Sequence, residues 1–374
     1  MRAIQSVFER ARRQRRAVGV LLVGAALAWL HGPMLARHIA ESADPLRFAD
    51  DVRVLIHPLF RIEDRALFPG DPSVDYFLKS LPDGYRLLYE VLGRVSGVVL
   101  LSKALPYLLL ASALGCLGFA AFRISGPGAV LGTLSLGLGS EYLLGRMVGG
   151  LPRAFAFALL AAGVAALAAG RARALAVLVV VAAGFYPVAA LLLGATLALW
   201  LLLPWQERGN ASAWPFRRRA LTVVATAALA ALVLAPSVLR LRPYGVAITP
   251  ELWSEFPEAG PWGRFDAADR PPFPPLPEAA VKPLLATLVG AGEPVLPVVN
   301  AGDRRDLVAL GLVVLALGAW IPLSRRRAEA RRLWSFFAAV AACHAVALVA
   351  GLRLFIPERY VAYGAPVLAL IVVP

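Results

Sequence analysis

The sequence is poor in cysteine and lysine, and it has none of the short motifs that mark common soluble enzymes. Cys116 and Cys343 are the only cysteines, and both lie in apolar runs without metal-ligand spacing, which excludes a disulfide framework. There is no zinc spacing, no Gly-x-Ser-x-Gly turn and no P-loop. Of the 38 basic residues only Lys79, Lys103 and Lys282 are lysine, so arginine carries the net charge of +14. Because the arginines cluster at the ends of apolar runs, they indicate a lipid bilayer as partner and not nucleic acid.

Apolar residues are abundant: they make up 59% of the chain, and the mean hydropathy is +0.69. Soluble domains have roughly 45–50% apolar residues. Repeated apolar runs separated by short arginine-rich turns predict an all-α, polytopic transmembrane helical bundle, a single transmembrane domain over residues 1–374. The ten expected spans are approximately 17–36, 104–122, 129–145, 154–169, 174–184, 188–204, 220–239, 306–323, 333–351 and 360–374. We expect 17–36 to stay as a first span, since no clean signal-peptide cleavage site follows it. We also expect that the chain is a fragment or ends within its last span.

The interruption at residues 184–187, Gly-Phe-Tyr-Pro, decides the predicted orientation. Its proline removes a helix hydrogen bond and disfavours helical backbone at the preceding tyrosine, which predicts two short helices in place of one long helix. With that break the inner segments hold 18 arginines in about 50 residues, against 19 basic residues in about 142 outer ones. This bias predicts an inside N-terminus and two long extracytoplasmic loops, 37–95 and 240–305.

The first outer loop concentrates charge around an adjacent pair of acids. It holds ten of the 24 acidic residues and eight basic ones. Asp50 and Asp51 follow the first span by about fourteen residues. One carboxylate can act as a general base while the pair binds a divalent cation, Mg²⁺ or Mn²⁺, through oxygen ligands. We therefore predict both as catalytic residues and metal ligands. The alternative is a solvated loop whose opposite charges neutralise each other.

Further candidate substrate-binding residues lie at the predicted outer surface. The guanidinium groups of Arg146 and Arg153 suit a lipid phosphate, and the alternative is a structural ion pair with Glu141 inside an apolar helix. Arg359 and Tyr360 stand at the outer mouth of the last span, where the alternative is a juxtamembrane anchor. The remaining candidates are Arg53, His57, Asp64 and Tyr186. Residues 254–269 of the second loop are either a lid over the first loop or an ordinary exposed loop.

The layout resembles the GT-C glycosyltransferases. Members of that superfamily have a first span, a long external loop with an acidic motif, many short or broken helices and a late external arginine at the donor phosphate. Asp50-Asp51 stands where that acidic motif stands, and Arg359-Tyr360 resembles the late Arg-Tyr pair of several members. Over nearly its whole length the chain also resembles a group of uncharacterised bacterial multi-span membrane proteins. The shared patterns are Asp50-Asp51-Val52-Arg53, Asp64-x-x-Leu67-Phe68-Pro69-x-Asp71, Asp75-Tyr76, Pro152-Arg153-Ala154-Phe155, Phe185-Tyr186-Pro187 and Pro357-x-Arg359-Tyr360.

The GT-C resemblance implies a multi-pass enzyme of the inner (plasma) membrane with an outward-facing site. It implies transfer of a hexose or pentose from a polyprenyl-phosphate carrier to a glycan, lipid or protein acceptor. Asp50 or Asp51 would deprotonate the acceptor hydroxyl, and Arg153 and Arg359 would hold the carrier phosphate. Two other classes stay open: a lipid or solute transporter or flippase, and a non-catalytic membrane protein. A transporter would favour polar residues at mid-membrane and pseudo-symmetric halves, and the sequence offers few of the first and no sign of the second.

Overall fold

The computed structural model describes residues 24–48, 50–203, 213–244, 327–350 and 357–372, together with Pro283 and Thr287. All regular secondary structure in these residues is helical, which confirms the all-α prediction. Among the helices within these ranges, three are long and apolar enough to cross a membrane, Val98–Ile124, Phe216–Tyr244 and Ala328–Ala350. The count of ten spans and the sidedness stay predictions, and the expected span 306–323 lies outside the described residues.

The chain divides into two compact units, Met1–Arg47 and Phe48–Pro374. In the first unit residues 24–43 form helix α1, so the helix continues past the predicted end of the first span. The indole of Trp29 on this helix is 83% exposed. A surface ion pair at 3.6 Å joins Glu41 to Arg47 just after the helix ends.

The second unit begins with short helices and continues with a bundle of longer ones. The short helices are α2 (Asp50–Ile56), α3 (Phe60–Glu63), α4 (Pro72–Ser80), α5 (Asp83–Leu88) and α6 (Arg94–Ser96), with a π-turn at Tyr89–Gly93. The bundle contains α7 (Val98–Ile124), α8 (Pro127–Gly139), α9 (Glu141–Met147), α10 (Phe155–Ala168), α11 (Ala172–Phe185), α12 (Pro187–Leu202), α13 (Phe216–Leu241), α14 (Ala328–Ala350) and α15 (Glu358–Val372). Short 3₁₀ turns cover His57–Leu59, Val148–Gly150, Pro152–Ala154 and Arg242–Tyr244.

The segment predicted as the first outer loop, 37–95, is largely helical, which corrects its description as a loop. Val52, Ile56 and Leu59 follow i, i+4, i+7 spacing and are at most 2% exposed, so they form one buried helical face. Val74 on α4 is also fully buried. Each such side chain contributes roughly 1.5–3 kcal/mol when removed from water. The acids and arginines of the segment therefore stand on helices that pack through apolar faces.

Helix α10 is the centre of the bundle. Twelve of its fourteen residues are buried, and it packs against α7, α11, α12, α14 and α15. At a rise of about 1.5 Å per residue, fourteen residues cover only about two-thirds of a hydrocarbon core of roughly 30 Å. Helices α8, α11 and α12 are also short and apolar. At membrane depth, a helix too short to span the bilayer must be shielded from lipid by protein. The helices that surround α10 provide this shielding.

The predicted break between two short helices is confirmed. Helix α11 ends at Phe185, the backbone of Tyr186 is extended at φ −150° and ψ 100°, and Pro187 begins α12. Proline suits the first helical position because its missing N–H needs no intrahelical partner there. The two helices pack against each other.

The predicted span 129–145 is wrong in one respect, because it consists of two helices. Helix α8 ends at Gly139, and the Ser140 hydroxyl accepts a hydrogen bond from the backbone N–H of Leu143 at 3.3 Å. Serine at this capping position favours a new helix start. Glu141 is therefore an exposed first-turn residue of α9 and not a carboxylate inside an apolar helix.

Arginine side chains cap the carboxyl ends of three helices at one end of the bundle, here called the arginine end. The contacts join Arg327 to the carbonyl of Ile124, Arg332 to those of Leu167 (3.1 Å) and Ala168 (2.9 Å), and Arg219 to that of Leu201 (3.1 Å). Free carbonyls and the helix dipole both favour a cation there. Arg173 and Arg218 also stack on Trp214, which ties the start of α11 to the start of α13. The arginine-rich turns that the sequence predicts to be cytoplasmic therefore meet.

Candidate functional site

An acid and an arginine that the sequence predicts as site residues meet at the end of the bundle opposite the arginine end. Asp51 lies in the first turn of α2, and Arg153 lies in the 3₁₀ turn that precedes α10. Asp51 Oδ2 and Arg153 Nη1 are 2.5 Å apart, with the side chains 57% and 30% exposed. An arriving ligand can therefore reach both groups from solvent. Asp50 begins the same helix, and its side chain lies outside the described part of the structure.

A tight glycine turn holds α2 beside Arg153. Gly149 has a φ of +76°, a conformation that glycine adopts without strain. A Cβ added at Gly149 would lie 2.5 Å from Cγ2 of Val52, so the backbone of the turn lies directly under the residue that follows Asp51. The close approach of turn and helix fixes where the Asp51 carboxylate stands.

Tyr186, at the break between α11 and α12, lies near both arginines that were predicted to hold phosphate. Its side chain is 6% exposed, and its ring meets that of Tyr363 edge-on with centroids 5.3 Å apart. Burial raises the pKa of Tyr186 well above its usual range and the neighbouring Tyr363 adds to that rise, while the positive charges of Arg359 and Arg153 oppose it. The Tyr186 hydroxyl makes no hydrogen bond of standard length and angle with a described residue. The structure thus brings together Asp51, Arg153, Tyr186 and Arg359.

A second close approach brings the polar helices to this break. A Cβ added at Gly84, in α5, would lie 2.7 Å from the carbonyl oxygen of Gly184 near the end of α11. Phe185 stacks on Phe155 at a tilt, with centroids 4.8 Å apart, and Tyr85 meets Phe155 edge-on at 6.0 Å. These contacts anchor the segment that carries Asp51 to the bundle next to Tyr186.

An aromatic row backs the site and was missed by sequence reasoning. The ring centroid of Phe157 is 6.5 Å from that of Tyr142 and 5.3 Å from that of Tyr363. The Tyr142 hydroxyl donates a hydrogen bond to the carbonyl of Ala362 at 3.1 Å. The predicted residue Arg146 joins this row, because its guanidinium stacks 5.2 Å over the Tyr142 ring. The contacts connect α9, α10 and α15 behind Arg153 and Arg359.

The other predicted substrate residues have local structural contacts. Arg53 Nε donates to the carbonyl of Phe48 at 3.1 Å, and His57 Nδ1 lies 2.8 Å from the carbonyl of Val54. Asp64 Oδ1 accepts the backbone N–H of Ala66 at 2.8 Å, which closes a turn. Tyr360 is 1% exposed and packs in the core, so it does not stand at a membrane interface as expected. For these four residues a substrate role stays a prediction.

Several further acids of the first polar segment also have structural partners. Glu63 caps the start of α7, Asp71 caps the start of α4, Asp75 pairs with Arg61, and Asp83 pairs with Arg240 at 2.7 Å. Asp75 and Asp83 are therefore neutralised by arginines, as the alternative interpretation of this segment expects. Asp51 differs from them because its partner, Arg153, is itself a predicted phosphate ligand.

The described residues around Asp51 do not form a ligand set for Mg²⁺ or Mn²⁺. One oxygen of Asp51 faces a guanidinium group. Nowhere in the described ranges do three or more His, Cys, Asp or Glu side chains gather in a group that could hold a metal ion. Both cations prefer several oxygen ligands. The divalent cation at Asp50 and Asp51 stays a prediction, and no chemical step is assigned to it.

The second predicted outer loop, 240–305, is described only from Arg240 to Tyr244 and at Pro283 and Thr287, and the proposed lid at 254–269 lies outside the described residues.

Comparisons with known proteins found no matching family model, no matching curated protein and no matching solved structure. In the part of the chain that the structure describes, the secondary structure is helical and three helices are suited to crossing a membrane.

Proposed function

We propose that this chain is an inner-membrane glycosyltransferase of the GT-C type. It would transfer a sugar from a polyprenyl-phosphate carrier to a hydroxyl of a glycan, lipid or protein acceptor outside the cytoplasm. The observation that supports this most is the pairing of Asp51 with Arg153 beside Tyr186 and Arg359. A candidate base and two phosphate-binding groups thus stand around one buried phenol.

Arg153 has two possible partners during the reaction. Without substrate its guanidinium neutralises Asp51. The donor phosphate is a diester with one negative charge that increases as the sugar leaves, and its oxygens suit the planar guanidinium fork. We expect phosphate binding to draw Arg153 away from Asp51, with Arg359 contacting the same phosphate. The Asp51 carboxylate is then free to accept a proton only when the donor is in place.

The transfer itself is a single displacement at the anomeric carbon. The acceptor oxygen forms the new C–O bond while the bond from that carbon to the phosphate oxygen breaks. The phosphate leaves with the bonding electron pair, and the acceptor proton passes to Asp51 or Asp50, with inversion at the anomeric carbon. Arg153 and Arg359 stabilise the charge that develops on the departing phosphate. The buried Tyr186 hydroxyl, which lies near both arginines, would orient the phosphate or the sugar.

The experiment that tests this function compares Asp51→Asn and Asp50→Asn separately with the native chain. Cells carrying each variant as their sole copy are profiled for envelope glycans, with membrane levels of the chain matched. We expect Asp51→Asn to lower glycan output by about 100-fold or more, the scale of a lost general base. Glu90→Gln is the matched control, since the ion pair that Glu90 forms with a described residue is the one with Arg86 along one helical turn. Full glycan output in both aspartate variants would exclude the proposed chemistry.

A further inference from the structure

A groove apart from the site opens beside the start of α7. It has a volume of about 600 Å³. Its lining consists of Ile62, Glu63, Arg65, Gly93, Arg94 and Gly97. None of the residues proposed for glycosyl transfer is among them, so the groove is a separate feature.

The groove carries uncompensated positive charge. Arg65 and Arg94 are exposed, and neither forms an ion pair with another described residue. The one carboxylate in the lining, that of Glu63, accepts a hydrogen bond from the backbone N–H of Val98 at 2.5 Å. Its charge is therefore directed to the amino end of α7, where it offsets the helix dipole. Two guanidinium groups remain to bind an anion.

An exposed apolar surface continues directly from the groove. Val95, next to Arg94, is 87% exposed, and Leu100 and Leu108 on α7 are 61% and 63% exposed. Helix α7 is one of the three helices suited to crossing a membrane, and the groove lies at its amino end. A basic groove at the end of a spanning helix lies at the depth of lipid headgroups, with the apolar helix surface at the depth of the acyl chains.

We propose that this groove binds the headgroup of an anionic phospholipid whose acyl chains lie along the exposed side of α7. The guanidinium groups of Arg65 and Arg94 hold the phosphate oxygens, and Leu100 and Leu108 contact the chains. Charge complementarity selects an anionic lipid over a zwitterionic one, because the latter brings its own cation into a site that already has two. This binding does not depend on the proposed transfer reaction.

The test measures lipid retention by the full-length chain. Protein purified in detergent doped with equal amounts of phosphatidylglycerol and phosphatidylcholine is examined by native mass spectrometry. We expect the native chain to retain phosphatidylglycerol about tenfold more than phosphatidylcholine. The Arg65→Gln/Arg94→Gln double variant should lose this preference. Ile62→Trp, which fills the groove and keeps both arginines, should lose it as well.

The matched control is Arg171→Gln/Arg217→Gln, which makes the same change in net charge at two exposed arginines of the arginine end. It should retain phosphatidylglycerol like the native chain. Equal retention of the two lipids by the native chain, or native retention in either groove variant, would overturn the proposal. Displacement of the bound lipid by glycerol phosphate at equal concentration would also overturn it, since the groove would then be a site for a soluble anion.

Discussion

Asp51 and Arg153 are 102 residues apart in the chain, yet the carboxylate of one and the guanidinium of the other meet at 2.5 Å. The residues come from two elements, α2 and the turn before α10, which the glycine turn at Val148–Gly150 brings together. An ion pair this exposed contributes only about 0–1 kcal/mol to stability. Substitutions at the pair should therefore change activity far more than folding.

Substituting Arg153 with lysine tests its role toward phosphate. Arg153→Lys keeps the positive charge but loses the planar fork that binds two phosphate oxygens at once. We expect glycan output to fall about 10- to 100-fold, less than the roughly 100- to 1,000-fold of a donor removed outright, because lysine keeps the charge. The midpoint of thermal unfolding should shift by less than about 3 °C. Glycan profiling and thermal unfolding in detergent measure the two effects.

Arg86→Lys is the control for that change. Arg86 pairs with Asp83 and Glu90 within the same polar segment, so the chemical change is the same but lies away from the proposed phosphate. Equal glycan output from the two lysine variants would mean that the fork of Arg153 holds no phosphate.

Gly149 packs against α2, so a substitution at this glycine should alter the site although Gly149 is not one of the proposed substrate contacts. Gly149→Ala forces a side chain into the 2.5 Å approach to Val52 and retains a φ of +76°, which L-residues rarely adopt. We expect a loss of about 1–3 kcal/mol in unfolding free energy and a displaced Asp51, hence lower glycan output. Denaturant unfolding and glycan profiling check both.

Gly145→Ala is the comparison for Gly149→Ala. A Cβ at Gly145 meets nothing within 4 Å, and alanine inside a helix is preferred over glycine by roughly 0.5–1 kcal/mol. It should leave activity unchanged. If the two alanine variants behaved alike, the turn would not be what positions Asp51.

Local rules explain which features could be predicted from sequence. The break at Tyr186 follows from proline chemistry, and the helical bundle follows from apolar runs, so both could be predicted without any tertiary contact. The helices within 37–95 were missed because many charges obscured the buried spacing of Val52, Ile56 and Leu59. The position of Tyr363 beside the site could not be predicted from sequence, since an aromatic residue in an apolar helix gives the same pattern in a core as next to a site. Its contact with Tyr186 requires the packing of α15 in the bundle.

The contacts at the arginine end predict that the buried residue Arg332 stabilises the fold. Arg332 is 7% exposed and donates to the last two carbonyls of α10. Arg332→Gln removes both contacts, and we expect a loss of about 2–3 kcal/mol, the scale of hydrogen bonds from a charged donor. Arg217→Gln, at an exposed position of the same end, should cost less than about 0.5 kcal/mol. Thermal unfolding separates them, and equal midpoints would show that the caps do not stabilise the fold.

Two buried tyrosines predict how stability responds to alkali. Tyr85 and Tyr89 are fully buried with ring centroids 4.9 Å apart. Burial raises the pKa of Tyr89 to about 12, and it raises the pKa of Tyr85 as well. An unfolded tyrosine has a pKa near 10, so the folded state binds more protons between these values. The stabilising contribution is therefore complete below about pH 10 and is lost as the pH rises toward 12.

Replacing Tyr89 by phenylalanine removes one of the protons that the folded state retains. We expect the unfolding free energy of Tyr89→Phe to fall less steeply than that of the native chain between about pH 10 and 12. Tyr76→Phe removes an exposed hydroxyl from the same polar segment and serves as the control. Denaturant unfolding at a series of alkaline pH values gives the slopes. Because the slope reports the difference in bound protons between the two states, equal slopes for the native chain and Tyr89→Phe would mean that Tyr89 ionises in the folded protein as readily as in the unfolded chain.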